Sequence, residues 1–197
     1  MRSKHFKLTI CAFAVIALAL MVNCGEETIM GPSPQLSQGQ GIPTEQITWL
    51  QWKPEVTRDM MGLGKIGFAG KTIVPDNGGF IGGNQTLENR VDIPAGALDE
   101  KTFITVEVLC LEGHEQTGAG VEFLPSGQFN KPVTITLSWE YLDIVTDQDA
   151  LDFKVYYCEN SNGDTWYELS SDYIDIDYSN KLVTFLTDHF TRYQWGL

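Results

Sequence analysis

From residue 47 to the C-terminus, the sequence consists of short segments in which apolar and polar residues alternate. A period of two places successive side chains on opposite faces of a β-strand, so each segment predicts a strand with one buried face. Between the segments lie PDNGG, IPAGALDE, LPSGQFNKP and NSNGD, which supply the Gly, Asn and Pro that tight turns need. Many short strands at this spacing predict an all-β domain over residues 47–197, folded as an antiparallel β-sandwich or barrel.

The alternation predicts eleven strands: Ile47–Trp52, Lys65–Ala69, Lys71–Val74, Thr86–Ile93, Phe103–Leu111, Gly120–Leu124, Val133–Trp139, Phe153–Glu159, Thr165–Leu169, Leu182–Leu186 and Arg192–Trp195. Four glycines lack the strand–loop–helix context of a phosphate-binding loop and are interpreted as loop or bulge glycines: Gly62, Gly64, Gly67 and Gly70. The stretch that favours a helix or helical turn is Tyr141–Leu151.

Basic residues precede an apolar run at the start of the chain. Arg2, Lys4 and Lys7 lead into an uncharged run of 15 residues from Leu8 to Val22. A helix needs about 20 apolar residues to cross a bilayer. The run therefore predicts an export signal over residues 1–23 rather than a membrane span.

Cys24 directly follows that signal. Its position resembles that of the cysteine in bacterial lipoprotein signals, which implies that the thiol receives a diacylglyceryl group and becomes the mature N-terminus. Two or three acyl chains hold a soluble domain on a membrane far better than one. The alternative is an ordinary cleaved signal in which Cys24 has no role. Residues 24–46 are rich in Gly, Pro, Ser and Gln, and they predict a flexible tether with a reach of about 25 Å.

The chain is strongly acidic. Its formal charge is −13, and this becomes −16 without residues 1–23, because the charged side chains of that segment are all basic. Such a field repels phosphate backbones, so no nucleic-acid partner is predicted. Solubility alone is a sufficient explanation for the acidity.

An ordered set of motifs in the β region resembles one known domain family. The motifs are Gly78-Gly79, VDIPAGAL at Val91–Leu98, ITVEV at Ile104–Val108, FLPSGQFNKPVTITL at Phe123–Leu137, LDFKVYYCENSNGDTWYEL at Leu151–Leu169 and TDHFTRY at Thr187–Tyr193. Together they resemble the ZU-five (zonula occludens/Unc-five) domain over about residues 70–197. This β module occurs in ankyrins, netrin receptors, tight-junction scaffolds and many bacterial surface proteins. The resemblance implies an antiparallel β domain with a role in protein contacts.

The same resemblance draws attention to His189-Phe190-Thr191. Some death-domain adaptors of this family cut themselves within His-Phe-Ser, where the serine hydroxyl attacks the preceding carbonyl and the histidine moves protons. Thr191 carries a hydroxyl, so it is a candidate nucleophile with His189 as its base. Against this, the threonine methyl crowds the attack, and cutting would release only Thr191–Leu197. The preferred interpretation is that Phe190 and Tyr193 are core aromatics of the closing strand.

Other chemistry-bearing residues are sparse. After the signal the only histidines are His114 and His189, and there is no HExxH or CxxC motif, so neither a metal nor a cofactor is predicted. Three oxygen-rich stretches lack the spacing of a twelve-residue calcium loop and are interpreted as solvated turns. They are Asp147–Asp152, Asn160–Asp164 and Asp172–Asp177.

Cys110 and Cys158 would meet oxidising conditions after export. Alternation places Cys110 on the same face as Val108, and it places Cys158 on the face opposite Val155 and Tyr157. If both apolar faces are buried, one thiol points inwards and the other outwards. The pair then cannot reach the Cβ separation of about 4 Å that a disulfide needs, unless one strand carries a bulge.

The sequence therefore predicts a non-catalytic protein, exported and lipid-anchored in the bacterial cell envelope, either on the periplasmic face of the outer membrane or at the cell surface. Its β domain is expected to contact another envelope protein or to have a structural role. Two alternatives remain open. One is a β domain that cuts itself between Phe190 and Thr191. The other is a glycan-binding module with tryptophan rings as platforms, for which the chain offers Trp49, Trp52, Trp139, Trp166 and Trp195.

Overall fold

The computed structural model describes residues 40–63, 67–109, 118–144, 152–158 and 165–197, except for the side chains of residues 60–63. Within these ranges the chain is mostly β-structure, in two antiparallel sheets packed against each other, which confirms the predicted all-β sandwich. No helix in the described ranges is long and apolar enough to cross a membrane.

The strands follow one another along the chain as β1 (Ile42–Pro43), β2 (Phe68–Ile73), β3 (Gly79–Gly82), β4 (Arg90–Ile93), β5 (Thr102–Leu109), β6 (Gly120–Leu124), β7 (Gln128–Ser138), β8 (Lys154–Cys158), β9 (Thr165–Glu168), β10 (Ile174–Asp177), β11 (Leu182–His189) and β12 (Arg192–Gly196). An α-helix, α1 (Pro54–Leu63), lies between β1 and β2. Short 3₁₀ turns cover Thr44–Gln46, Asn84–Thr86 and Ser171–Tyr173. Of the stretch predicted to favour a helix, residues 141–144 form a turn and an isolated bridge, and residues 145–151 lie outside the described ranges.

Seven strands form one sheet in the order β1-β9-β8-β12-β6-β5-β2, and five form the other in the order β10-β11-β7-β4-β3. Each pair of neighbouring strands is antiparallel. The strand β2 is therefore an edge of the first sheet, and its successor β3 is an edge of the second. The chain also crosses between the sheets from β11 to β12.

The core between the sheets consists of the apolar faces that alternation predicts. Every second side chain of a strand is apolar and points inwards, and each such side chain contributes about 2 kcal/mol when it is fully buried. On the strands β5 and β7 these residues are Ile104, Val106, Val108, Val133, Ile135 and Leu137.

Residues 42–53, which precede α1, form the N-terminal segment, and this segment covers the outer face of the seven-stranded sheet over β8 and β9. Ile47 packs there with Tyr156, Cys158 and Trp166, and these residues form a second buried cluster outside the main core. β1 extends the cover by pairing with β9. The alternation of the sequence begins at residue 47, but the folded structure also includes Ile42.

The side chain of Cys158 lies with Tyr156 on the face opposite Val155 and Tyr157, as predicted. The N-terminal segment buries this thiol, which the alternation of β8 alone does not indicate. Cys110 lies outside the described residues. The prediction that Cys110 and Cys158 do not pair therefore stays a prediction.

The prediction of a strand at Ile47–Trp52 is wrong. The helix α1, which follows this stretch in the chain, is an element that alternation does not indicate. Within that range only isolated bridges occur, such as the one from Trp49 to Gly196. The segment instead runs across the end of β12, where the Leu50 N–H donates to the Trp195 carbonyl oxygen at 3.0 Å. This crossing buries the apolar residues of the segment without a β-ladder of backbone hydrogen bonds.

The predicted strands Lys65–Ala69 and Lys71–Val74 are in fact one strand, β2, which runs through Gly70. Gly70 lies opposite Thr105 in a regular antiparallel register. Its interpretation as a loop or bulge glycine is therefore wrong.

The predicted strand Thr86–Ile93 is present only as β4. Leu87 and Glu88 have φ angles of 54° and 65°, in the left-handed region, and a strand cannot continue through them. The buried Asn89 holds this turn, because its Nδ2 donates to the preceding 3₁₀ turn at 2.7 Å and its Oδ1 accepts from the Ser138 N–H at 2.9 Å. Hydrogen bonding to the buried amide therefore overrides the alternation here.

Candidate functional site

The stretch His189-Phe190-Thr191 lies where the chain passes from one sheet to the other. His189 is the last residue of β11 in the five-stranded sheet, and β12 in the seven-stranded sheet begins at Arg192. The ladder between β11 and β7 is irregular here, since its register shifts between Thr187 and His189. Phe190 and Thr191 therefore form the crossing between the sheets.

Phe190 anchors this crossing in the core. Its side chain is 3% exposed, and its ring centroid lies 5.7 Å from that of Phe123 and 4.6 Å from that of Phe129. The Phe190 N–H donates to the Gly127 carbonyl oxygen, in the loop before β7, at 3.3 Å. These contacts support the interpretation of Phe190 as a core aromatic.

Thr191 is also buried, and its hydroxyl is engaged elsewhere. The Thr191 hydroxyl donates to the carbonyl oxygen of Cys158 on β8. The His189 ring is turned towards its neighbour, with Nδ1 2.8 Å from Asp188 Oδ1. Among the described residues, no hydrogen bond joins the Thr191 hydroxyl to the His189 ring. The arrangement fits a buried structural threonine better than a nucleophile beside its base.

Tyr193, two residues after the crossing, does not supply a base. It lies inside the sandwich, and burial raises the pKa of its phenol far above the ordinary value. The phenol therefore stays protonated over the physiological pH range. Its ring packs against Phe123 and Phe185, with centroids 5.9 Å and 5.0 Å away, as a core aromatic does.

An open groove of about 520 Å³ lies beside the crossing, between the loops that precede β5 and β7. Its polar lining includes Asp99, Glu100, Ser126 and Gln128. Asp99 already accepts a hydrogen bond from Asn130 Nδ2 at 2.7 Å. None of the described residues that line the groove is a histidine, lysine or arginine. The groove therefore brings no acid–base pair to the crossing.

The described carboxylates do not gather into a metal centre. No group of three or more His, Cys, Asp or Glu side chains that could hold a metal ion occurs in the described part of the chain. Asp177, in one of the oxygen-rich stretches, closes a turn with Asn180, whose Nδ2 lies 2.6 Å from Asp177 Oδ2. This side-chain hydrogen bond lowers the pKa of Asp177. Residues 147–151 and 160–164, together with His114, lie outside the described ranges.

Four of the five tryptophans are buried, and the fifth is partly buried. Trp52, Trp139, Trp166 and Trp195 are buried in the sandwich or under the N-terminal segment. Trp49 is half-buried, and its ring lies 4.8 Å from that of Trp166 in an edge-to-face contact. A platform on which sugar rings stack would need a tryptophan face open to solvent, and no tryptophan is among the exposed side chains.

Three exposed phenylalanines lie along the edge of the sandwich formed by β2 and β3. Phe68 on β2 and Phe103 on β5 are 52% and 56% exposed, and we refer to these two as the aromatic ridge; Phe80 on β3, in the other sheet, is 58% exposed. The rings of Phe68 and Phe103 converge over Gly70, where an added Cβ would lie 3.3 Å and 2.7 Å from their Cζ atoms. On the other side of β2, the Lys71 Nζ lies 5.5 Å from the centre of the Phe80 ring.

The sequence of β5 contains a signal for the aromatic ridge. Phe103 shares its face with Thr105 and Glu107, opposite the buried Ile104 and Val106. A large aromatic side chain on the polar face of a strand has no core to fill, and it indicates a surface contact. The β2 part of the ridge is harder to identify, because dividing that strand at its central glycine conceals its alternation.

Cys24, the predicted lipid-attachment residue, lies outside the described residues. No protein-family model and no curated protein matches this chain. The resemblance to ZU-five domains and the lipoprotein-type anchor therefore stay predictions.

Proposed function

We propose that this chain is a non-catalytic lipoprotein of the bacterial cell envelope, held on a membrane by lipid on Cys24, and that its β domain binds another envelope protein. The basic and apolar start of the chain supports export. The Gly-, Pro-, Ser- and Gln-rich composition of residues 24–39 supports a flexible connection between lipid and domain. The observation that carries the binding role is the aromatic ridge.

The aromatic ridge supports protein binding because two rings, each more than half exposed, converge over Gly70 at one edge of the domain. Grouped exposed apolar surface of this kind marks interaction sites, and burying each ring in a partner contributes about 1–3 kcal/mol. The whole chain carries a formal charge of −13, yet β2 and β3 contain no acidic residue. β2 itself therefore adds no negative charge to the ridge, although Glu107 on β5 lies opposite Phe68.

The two alternative functions find less support in the described residues. A glycan platform lacks an exposed tryptophan ring. Self-cleavage lacks a contact between the nucleophile and its base, since the Thr191 hydroxyl donates to Cys158 and the His189 ring lies against Asp188.

Crosslinking in intact cells tests the binding role. The amount of crosslinked partner captured by the double variant Phe68→Ser/Phe103→Ser is expected to fall about tenfold or more, because two apolar contacts are removed from the ridge. The measurement is purification through a C-terminal tag, followed by quantitative mass spectrometry. The matched control is Tyr173→Ser/Tyr178→Ser, which alters two aromatics that are 45% and 53% exposed but lie outside the ridge. Equal capture by the two double variants would contradict the proposal.

Intact-mass measurement of untagged protein from membranes tests the anchor and the absence of cleavage together. The expected species begins at Cys24 with two or three acyl chains and ends at Leu197. Cys24→Ser is expected to lose the acyl mass and leave the membrane fraction. A species without Thr191–Leu197 that disappears in Thr191→Ala would refute the non-catalytic assignment. A Cys24→Ser protein that stays in the membrane fraction would refute the lipid anchor.

A further inference from the structure

The strand β2 is an open edge of the seven-stranded sheet, since it pairs with β5 on one side only. The Val108 N–H donates across this ladder to the Gly67 carbonyl oxygen at 2.6 Å, which sets the phase of the alternating hydrogen bonds. In that phase, every second residue of β2 directs its N–H and C=O groups away from β5. These residues are Phe68, Gly70 and Thr72.

The two faces of this open edge differ in chemistry, since one carries apolar rings and the other a lysine. On the outer face, the Phe68 and Phe103 rings form an apolar surface over Gly70. On the other face is Lys71, which is exposed and lies against the Phe80 ring. Among the described residues, no carboxylate lies within 4.0 Å of the Lys71 Nζ. The edge therefore offers hydrogen-bonding groups, an apolar surface and a cation together.

We propose that β2 receives an extended segment of the partner protein as an additional strand of the seven-stranded sheet. This inference rests on the proposed binding role and specifies how the aromatic ridge is used. The backbone of the segment hydrogen-bonds to the open edge, as in other cases of strand addition. Its side chains alternate between the two faces. Apolar ones pack on Phe68 and Phe103, and an acidic one pairs with Lys71.

Other occupants fit this edge less well. A lipid surface would bury the outward N–H and C=O groups of β2 without hydrogen-bond partners. A second copy paired antiparallel about Gly70 would place two Lys71 side chains as diagonal neighbours on one face, where like charges repel. A separate strand with an acidic residue satisfies the backbone groups and Lys71 at once.

The test uses a fluorescent seven-residue peptide, Val-Glu-Val-Glu-Val-Glu-Val, and the unlipidated Cys24→Ser chain. Anisotropy measures binding to this chain and to two further variants. Thr72→Pro is expected to weaken binding about tenfold, because it removes an N–H that points away from β5. Thr72→Val keeps that N–H and is expected to bind like the parent. Near-UV circular dichroism checks that both variants keep the fold, since neither loses a hydrogen bond to β5.

A charge reversal gives an independent measurement. Lys71→Glu is expected to invert the preference of the edge, so that a Val-Lys-Val-Lys-Val-Lys-Val peptide binds better than the glutamate peptide. This comparison keeps its meaning even if Thr72→Pro fails to fold. An unchanged preference in Lys71→Glu would overturn the assigned partner chemistry.

Strand addition would be overturned if Thr72→Pro and Thr72→Val bound the glutamate peptide equally well. It would also be overturned if this peptide did not bind the parent chain. Binding to vesicles of phosphatidylethanolamine and phosphatidylglycerol that needs Phe68 and Phe103 but survives Thr72→Pro would assign the ridge to lipid. A dimer in sedimentation that Thr72→Pro dissociates would assign the edge to a second copy.

Crosslinked cells separate failure of this inference from failure of the binding role. If Phe68→Ser/Phe103→Ser loses the partner while Thr72→Pro retains it, the binding role stands and strand addition is wrong. If neither variant loses the partner, the binding role is wrong as well. Loss in both, with retention in Thr72→Val, is the expected result.

Discussion

Replacing Phe190 with alanine is expected to lower the free energy of unfolding by about 4 kcal/mol. The side chain is 3% exposed and packs against Phe123 and Phe129. Its removal leaves a cavity at the crossing between the sheets, where strands on both sides limit collapse. Urea unfolding followed by tryptophan fluorescence measures the loss as a lower midpoint with an unchanged slope.

The matched control for this substitution is Phe80→Ala. It removes the same side chain from a site that is 58% exposed, and the free energy of unfolding is expected to change by no more than about 0.5 kcal/mol. If Phe190→Ala were no more destabilising than Phe80→Ala, the crossing would not belong to the core. The architectural interpretation of His189-Phe190-Thr191 would then be wrong.

Alternation predicts best the strands whose two faces meet different surroundings. The predicted strand Gly120–Leu124 coincides with β6, and Arg192–Trp195 differs from β12 by one residue. Both strands lie inside the seven-stranded sheet, with one face in the core. The pattern fails for Ile47–Trp52 because periodicity reports which side chains are buried and not what buries them. There the outer face of the seven-stranded sheet covers Ile47, whereas Leu50 and Trp52 reach the main core.

The sequence does contain a signal for α1 that alternation conceals. The helix begins at Pro54 and carries Glu55 in its first turn. Proline at the first helical position has a suitable φ and lacks only an N–H that would have no partner there. An acidic side chain in the first turn interacts favourably with the helix dipole. These start signals indicate the helix where periodicity does not.

The candidate sites depend on contacts that local sequence does not encode. The hydroxyl of Thr191 donates to Cys158, 33 residues earlier, and this contact exists because β12 pairs with β8 in a register that places Arg192 opposite Cys158. In the same way, Phe68 lies at an open edge only because the sheet order ends with β2. Residue types are readable from sequence, whereas the order of the strands decides which of them face solvent.

Trp166 is expected to hold the N-terminal segment on the seven-stranded sheet, so Trp166→Ala should lower the free energy of unfolding by about 4 kcal/mol. Its fully buried ring packs with Ile47 and lies 4.8 Å from the Trp49 ring. Its Nε1–H donates to Thr44 Oγ1 at 3.1 Å. These contacts all reach residues ahead of α1, so their loss should free that segment first. Urea unfolding measures the stability, and hydrogen exchange at the Ile47 amide, which donates to the Thr44 carbonyl oxygen, reports release of the segment.

The substitution Trp166→Phe separates packing from hydrogen bonding. It keeps most of the apolar contact with Ile47 and loses the hydrogen bond to Thr44, so the expected cost is about 1–2 kcal/mol with the segment still attached. In Trp166→Ala, the Ile47 amide should exchange faster than amides of the central strand β7, because the cluster of Ile47 and Trp166 is separate from the main core. Equal acceleration at Ile47 and in β7 would mean that the N-terminal segment unfolds only with the whole sandwich, and its role as a separate cover would have to be abandoned.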